Sequence, residues 1–294
     1  MTDHPVPGRT ASVIVRSKNK QDTIRRTLDS LATQSVRPEI IVVDSGSTDG
    51  TLDIARELAD SVVQITPEEF TYGRALNIGA ARSSGEIIFA LSAHCAAAGT
   101  DWVASALSAY EDPDIAGTIG DLRGPDGSNL AGPTKITATD ISRNPLWGFS
   151  NHASSWRRDV WEDHPFDEQM IACEDKEWMW RVLQAGYALL ADPHLDVPTS
   201  HRRDAGLRAL FDRVYREHLA LAEMLDVDVP SAYQMLDRWW SSFPYPSPRP
   251  RWLRRLSPWR NAELAGEWFG SRAGAARRRP DAIRFTADMA GTRR

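Results

Sequence analysis

The run Ile40-Ile41-Val42-Val43-Asp44-Ser45-Gly46-Ser47-Thr48-Asp49-Gly50-Thr51 constrains this chain more than any other segment. Four consecutive β-branched apolar residues read as a strand. The hydroxyls, carboxylates and glycines that follow have the composition of a tight turn. Around this run the pattern alternates. Ala11 to Arg16 reads as a short strand, β-branched at Val13, Ile14 and Val15, and Thr23 to Thr33 carries Ile24, Leu28 and Leu31 at helical spacing. Helical stretches at Thr51 to Leu58, Gly73 to Arg82 and Asp101 to Tyr110 then interleave with strands at Ser61 to Ile65 and Glu86 to Leu91. Strands alternating with helices of roughly 10 residues indicate βαβ units and a mainly parallel sheet.

The alternation stops near Ala116. From there to Pro165 the sequence is irregular and rich in glycine, asparagine and proline, a kind of segment that is usually functional inside a compact domain. Asp175 to Ala185 reads as a helix, with Trp178, Val182 and Leu183 on one face, a Glu177–Arg181 pair four residues apart, and Gly186 as its stop. Leu207 to Leu225 is a further helix, and the prolines at 244, 246, 248 and 250 mark a hinge or boundary. The expected organisation is an α/β domain over residues 1–205 and a helical, Arg/Trp-rich extension over 206–294.

At 294 residues the chain is long enough for one large core, or one core with an appendage. A net charge of -5 gives no general reason to expect nucleic acid as a partner. Cys95 and Cys173 are too few for a disulfide framework or a zinc site, and each suits a small buried position. Residues 1–10 lack the basic and apolar regions of a secretory leader, and no apolar run approaches membrane-spanning length. The expected compartment is the cytoplasm. From Arg249 onward, however, there are 12 arginines, no lysine and four acids, with Trp252, Trp259 and Trp268 among them. Three readings follow: peripheral contact with the inner membrane face, grip on an anionic acceptor, or an appendage that packs its tryptophans and solvates its arginines.

In an open parallel sheet, ligands sit beyond the carboxyl ends of the strands. Asp44 closes one strand, and Ser92-Ala93-His94 follows another. Asp44 could accept hydrogen bonds from a nucleotide, or it could bond its own turn. Glu174 and Asp175 open an amphipathic helix, where a carboxylate can act as a base or complement the helix dipole. Asp49 reads as a helix cap.

Four motifs in order carry a resemblance: Val13-Ile14-Val15 with Asn19; Val42-Val43-Asp44-Ser45-Gly46-Ser47-Thr48-Asp49-Gly50-Thr51; Arg74-Ala75-Leu76-Asn77-Ile78-Gly79 with Gly85-Glu86; and Glu174-Asp175. Over roughly Ala11 to His201 the chain resembles family 2 glycosyltransferases of the GT-A fold. The resemblance implies an inverting transferase that moves a sugar from a nucleoside diphosphate, UDP or dTDP favoured, to a hydroxyl acceptor that is a small molecule or a glycan or lipid-linked chain.

By the same resemblance Asp175 is the general base, with Glu174 raising its pKa by like-charge repulsion. Asp44, Ser45, Arg74, Asn77, Ser92 and His94 would line the nucleotide and donor, and Gly79 would allow close helix packing. Trp147, Asn151, His152 and Trp178 would lie at the acceptor, with at most one of Trp178 and Trp180 in the pocket and the other in the core. Two departures from the family pattern stand out. Lys20 occupies a position that is commonly acidic, and Ser92-Ala93-His94 occupies the place of the metal-binding Asp-x-Asp. His94 with His201 and diphosphate oxygens would suit a divalent metal, Mn²⁺ ahead of Mg²⁺. The alternatives are metal-free neutralisation of the diphosphate and a nucleotide-sugar binding or scaffold protein that has lost catalysis.

Overall fold

The structure is a computed structural model that describes residues 9–141, 147–197, 206–226, 228–241 and 257–283. The chain divides into two compact units. One comprises Met1–Met170 with Glu174–Ser200, the other Ile171–Cys173 with His201–Arg294.

The first unit is built on one sheet. Its strands are β1 (Ala11–Ser17), β2 (Glu39–Asp44), β3 (Ser61–Gln64), β4 (Ile87–Ser92), β5 (Ile115–Ile119), β6 (Thr134–Ile136), β7 (Ala153–Arg157) and β8 (Ala188–Ala191). The helices are α1 (Gln21–Ala32), α2 (Thr51–Leu58), α3 (Tyr72–Arg82), α4 (Trp102–Ser108), the single turn α5 (Ala138–Ile141), α6 (Arg158–Asp163) and α7 (Glu174–Gln184). The spatial order is β3-β2-β1-β4-β7-β5-β8-β6. The half β3-β2-β1-β4 is parallel throughout. This is the part whose alternation is legible in the sequence, with boundaries within a residue or two.

The other half corrects the expectation of a long irregular segment and sets two antiparallel strands, β6 and β7, into the mainly parallel sheet. Residues 116–165 supply most of β5 together with β6 and β7, and β7 runs antiparallel to both β4 and β5. β6 is likewise antiparallel to β8, while β5 and β8 are parallel. β7 was hidden by its composition, Ala-Ser-Ser-Trp-Arg. Its Ser155 is fully buried, and the hydroxyl is matched by Tyr110 Oη at 2.7 Å and Thr118 Oγ1 at 2.6 Å. A buried polar strand is stable when its hydroxyls find partners, and hydropathy alone cannot register that.

Strand alternation sends side chains to both faces. Val13, Val15, Ile40 and Val42 join Ile24, Leu28 and Leu31 of α1 and Val103 of α4 in one buried cluster. Ile14 and Ile41 are equally buried and point the other way. There α3 lies so close that a Cβ on Gly79 would sit 2.6 Å from Ile14, so only glycine fits, as expected for this position.

The second unit contains α8 (Gly206–Met224), α9 (Ala232–Ser241) and α10 (Pro258–Ala275). The proline cluster falls outside the described residues. α10 packs on α8 through Gly266, Gly270 and Gly274, spaced four apart along one face. Added Cβ atoms there would meet Val214 Cβ at 2.9 Å, Tyr215 O at 2.4 Å and Leu219 O at 2.2 Å. Near-contact of the two backbones explains the glycines, whose cost in helix propensity is about 1 kcal/mol each. Gly270→Ala should therefore lower stability by about 1–3 kcal/mol despite the better helix former. Denaturant melts would read this, and an unchanged or raised midpoint would contradict the packing.

Candidate active site

The loops after β1 and β2 are fastened together at the carboxyl edge of the parallel half. Asn19 adopts a left-handed φ of 50°. Its backbone N–H donates to Ser47 Oγ at 2.8 Å, and its Oδ1 accepts from Thr48 N at 2.8 Å. Asp49 accepts from Thr51 N at 3.0 Å and from Gln21 N at 3.2 Å, so it bonds the first turns of both α2 and α1. Asp44 lies beneath this clasp with no solvent exposure. Its carboxylate accepts from Ser17 Oγ (2.8 Å), Gly46 N (3.1 Å), Ser47 N (2.8 Å) and Ser47 Oγ (2.5 Å). Both oxygens are thus occupied by the loop, so the turn-building alternative describes Asp44. Ser45 is also buried, its hydroxyl donating to Ser17 O at 3.2 Å.

After β4 the chain folds back in a turn closed by Cys95 N–H donating to Ser92 O at 2.8 Å. α1 holds this turn. Thr23 Oγ1 donates to Ala93 O at 2.7 Å, Thr27 Oγ1 to Cys95 O at 2.6 Å, and Arg26 Nη2 to His94 O at 3.4 Å. Ser92 and His94 are half-buried, whereas Cys95 is buried and its thiol is pushed up to about 11 by desolvation. The turn supplies one imidazole and no carboxylate. Among the described residues, no group of three His, Cys, Asp or Glu side chains could hold a metal. A protein-built cage is therefore absent from that set, and His201 lies outside it.

The carboxylate pair opens α7. The chain enters it through Cys173, whose φ of 62° is unusual for a residue with a side chain. Asp175 is half-buried, with Oδ1 accepting from Lys176 N at 2.8 Å and Oδ2 from Asn151 N at 3.3 Å. Glu174 is 4% exposed. Its Oε1 accepts from Asn151 Nδ2 at 3.2 Å and lies 3.5 Å from Arg16 Nη1. Arg16 Nη2 also donates to Asn151 O at 3.0 Å, and the guanidinium lies 5.3 Å from the centre of the Tyr72 ring. Burial and the neighbouring Asp175 push the Glu174 carboxyl up to about 7, against the pull of Arg16 and Asn151. Depth is the reason: Glu174 lies almost wholly out of solvent beside a second carboxyl group.

Lys176 completes the arrangement. Its Nζ donates to Gly148 O at 2.6 Å and Phe149 O at 2.8 Å, fixing the segment that leads to Asn151. Next along is His152, whose Nδ1 pairs with Ser150 Oγ at 2.8 Å. Burial pushes its imidazole pKa down, while Asp196, Asp175 and Asp121 oppose that shift. Burial raises the Asp196 carboxyl, with His152 lowering it and Asp121 raising it. Arg16, Lys176, Asp121 and Asp196 were not singled out in the sequence, whereas His152 was placed at the acceptor by its position. Of those four, Arg16 alone gave a signal, as the one charged residue in a strand centred on Val13, Ile14 and Val15.

Several of the expected contact residues are taken up by packing and internal hydrogen bonds. Trp178 is fully buried, donates to His164 O at 2.7 Å and stacks among Phe149, Trp156 and Phe166, so it is core and not acceptor surface. Trp180 is buried as well, so neither tryptophan lines a pocket. Asn77 Nδ2 donates to Phe166 O and Glu168 Oε1, and its Oδ1 accepts from Trp161 Nε1 and Phe166 N, which uses both donors and both acceptor positions of its amide. It staples α3 to residues 161–168. Asn151 is 2% exposed and acts as the junction described above. Trp147 is nearly buried and donates to Arg123 O at 2.7 Å. Arg74 is exposed, and its backbone N–H donates to Thr71 Oγ1 at 3.1 Å.

Residues 12–166 match the family model for glycosyl transferase family 2. The chain belongs to that family. It is 27% identical over 207 residues to the O-antigen chain rhamnosyltransferase RfbN of Salmonella typhimurium, covering 65% of this chain and 66% of that protein. It is 30% identical over 192 residues to the glycosyltransferase AglE of Haloferax volcanii, covering 60% and 62%. The matches thus span just under two thirds of these relatives' own length. Among solved structures, the mannosyltransferase PcManGT of Pyrobaculum calidifontis, in complex with GDP-Man and Mn²⁺, superposes with a TM-score of 0.60 at 20% identity over 91% of this chain and 73% of that one. S. aureus TarS residues 1–349 with UDP-GlcNAc gives 0.55 at 16% identity over 90% of each chain. The fold is that of the GT-A nucleotide-sugar transferases, as the motif order implied.

The Glu174 shift makes a pH prediction. A carboxyl raised from 4.5 to about 7 holds a proton in the folded chain that the unfolded chain releases. Its stabilisation is complete below the ordinary value and is lost as pH rises through the folded one, with a slope of at most about 1.4 kcal/mol per pH unit. Glu174→Gln should flatten the decline of stability across that window, whatever it does to absolute stability. Melting both proteins from acid to neutral pH would test this, and parallel curves would refute the shift.

Proposed function

We propose that this chain is an inverting glycosyltransferase that moves a sugar from a nucleoside diphosphate to a hydroxyl acceptor, with Asp175 as general base. Asp175 supports this reading most directly. It is a half-buried carboxylate at the start of α7, oriented by two backbone N–H groups and lying next to a buried, positively compensated Glu174. Such a group is fixed in direction yet keeps lone pairs for an incoming hydroxyl. As the acceptor oxygen bonds to the anomeric carbon, its proton passes to Asp175. The bond from that carbon to the diphosphate oxygen breaks, and its electron pair leaves with the nucleotide. In-line geometry puts base and leaving group on opposite faces of the sugar, which inverts the anomeric centre.

The loop clasp over Asp44 would shape the nucleotide side, with the exposed Arg74 guanidinium and the Ser92–Cys95 turn toward the phosphates. UDP and dTDP are the donors we favour. The relatives include O-antigen chain rhamnosyltransferases, which supports a glycan or lipid-linked acceptor. A divalent ion would rest on His94 and the donor's own diphosphate oxygens, and would neutralise charge on the departing diphosphate. That donor set suits Mn²⁺ better than Mg²⁺. The absence of a carboxylate at the Ser92–Cys95 turn supports a second reading, a chain that binds nucleotide sugars without turnover.

Asp175→Asn is expected to lower kcat about 10²–10⁴-fold, with nucleoside diphosphate affinity, read by calorimetry, within a few-fold of native. Unchanged turnover would remove the base. Tight donor binding by the native chain without any transfer would favour the second reading. For the ion, Mn²⁺ should raise the thermal stability of the UDP-bound protein more than Mg²⁺ does, and His94→Ala should abolish the increment. An increment that survives the substitution would exclude His94 as ligand.

A further inference from the structure

α9 has two unlike sides. Trp239 Nε1 donates to Asn261 Oδ1 at 3.2 Å, and Arg238 pairs with Glu267, so one side is anchored to α10. The other presents Tyr233, Leu236 and Trp240, which are 79%, 62% and 60% exposed. Positions three and seven residues apart fall within one narrow stripe of a helix. Three large apolar groups in line are more than the scattered singles expected on a soluble surface.

Charge says what such a stripe would meet. Residues 201–294 carry 18 arginines, no lysine and 11 acids, a net +7, whereas residues 1–200 carry 17 basic and 29 acidic residues, a net -12. A chain that is acidic as a whole thus concentrates its positive charge on the unit that bears the stripe. Tryptophan and tyrosine favour the water–bilayer boundary, where an apolar ring and a polar tip are both accommodated. Each nearby arginine adds attraction to anionic headgroups. No helix among the described residues is long and apolar enough to cross a membrane. Trp259 and Trp268 are half-buried, Trp268 stacked under Arg272, and so belong to packing within the unit.

We propose that the Tyr233-Leu236-Trp240 face of α9 seats the C-terminal unit on an anionic lipid surface, with the surplus arginines of residues 201–294 supplying the attraction. The proposal does not rest on the glycosyl-transfer reading, and either can fail alone.

The test is co-sedimentation of the full chain with vesicles of phosphatidylcholine mixed with phosphatidylglycerol, against phosphatidylcholine alone. The native chain should bind the mixed vesicles and not the neutral ones, with binding weakened by added salt. The triple variant Tyr233→Ser, Leu236→Ser, Trp240→Ser should bind at least roughly tenfold more weakly while keeping its melting temperature, since the side chains replaced are exposed. Equal binding by native and variant chains would overturn the assignment of the face. So would absence of binding to anionic vesicles. Self-association of the native chain that the variant lacks, without vesicle binding, would give the face to a second copy instead.

Discussion

The arrangement around Glu174 depends on an acid that has been taken out of water. The buried carboxyl group is met by the Arg16 guanidinium from β1 and the Asn151 amide from the approach to β7. Its ionised form without those partners would cost several kcal/mol at that depth, so the partners have to arrive together. Their arrival fixes three pieces of chain at once: the end of a parallel strand, the entry to an antiparallel one and the first turn of α7. Asn151 then offers its own N–H to Asp175. The geometry of the half-exposed carboxylate follows from the burial of its neighbour.

A similar economy governs the loops after β1 and β2. Asp44 looks like a ligand contact in the sequence because it ends a strand at the carboxyl edge, where ligands gather. In the fold it holds the loop from beneath, and the groups left facing outward belong to the loop it organises. Asn77 repeats the pattern, a motif residue whose amide is spent on stapling α3 to residues 161–168. A motif can persist in a chain because it shapes a site and not because it touches the ligand.

The parallel half of the sheet was readable because β-branched runs and amphipathic helices alternate there at regular spacing. The antiparallel half was not, because β7 buries Ser155, whose partners Tyr110 and Thr118 lie 45 and 37 residues away in sequence. The Glu-Asp pair was visible, and the division of labour within it was not, since depth of burial is a tertiary property. The tryptophans after it misled for the same reason: adjacent aromatic residues near a base suggest sugar stacking, yet both are sealed in the core. The Gly266, Gly270 and Gly274 stripe was legible in principle as a four-residue period, although the surrounding arginines and tryptophans draw attention first.

Lys176 has a consequence for engineering. Its ammonium clamps two successive carbonyls, those of Gly148 and Phe149, directly beside the pair that opens α7. Any rearrangement that required this segment to swing outward would have to break both bonds at once and strand a cation next to two acids. Transplanting residues 147–152 from a relative would therefore succeed only where a cation is retained at position 176, and neutralising it would loosen the graft.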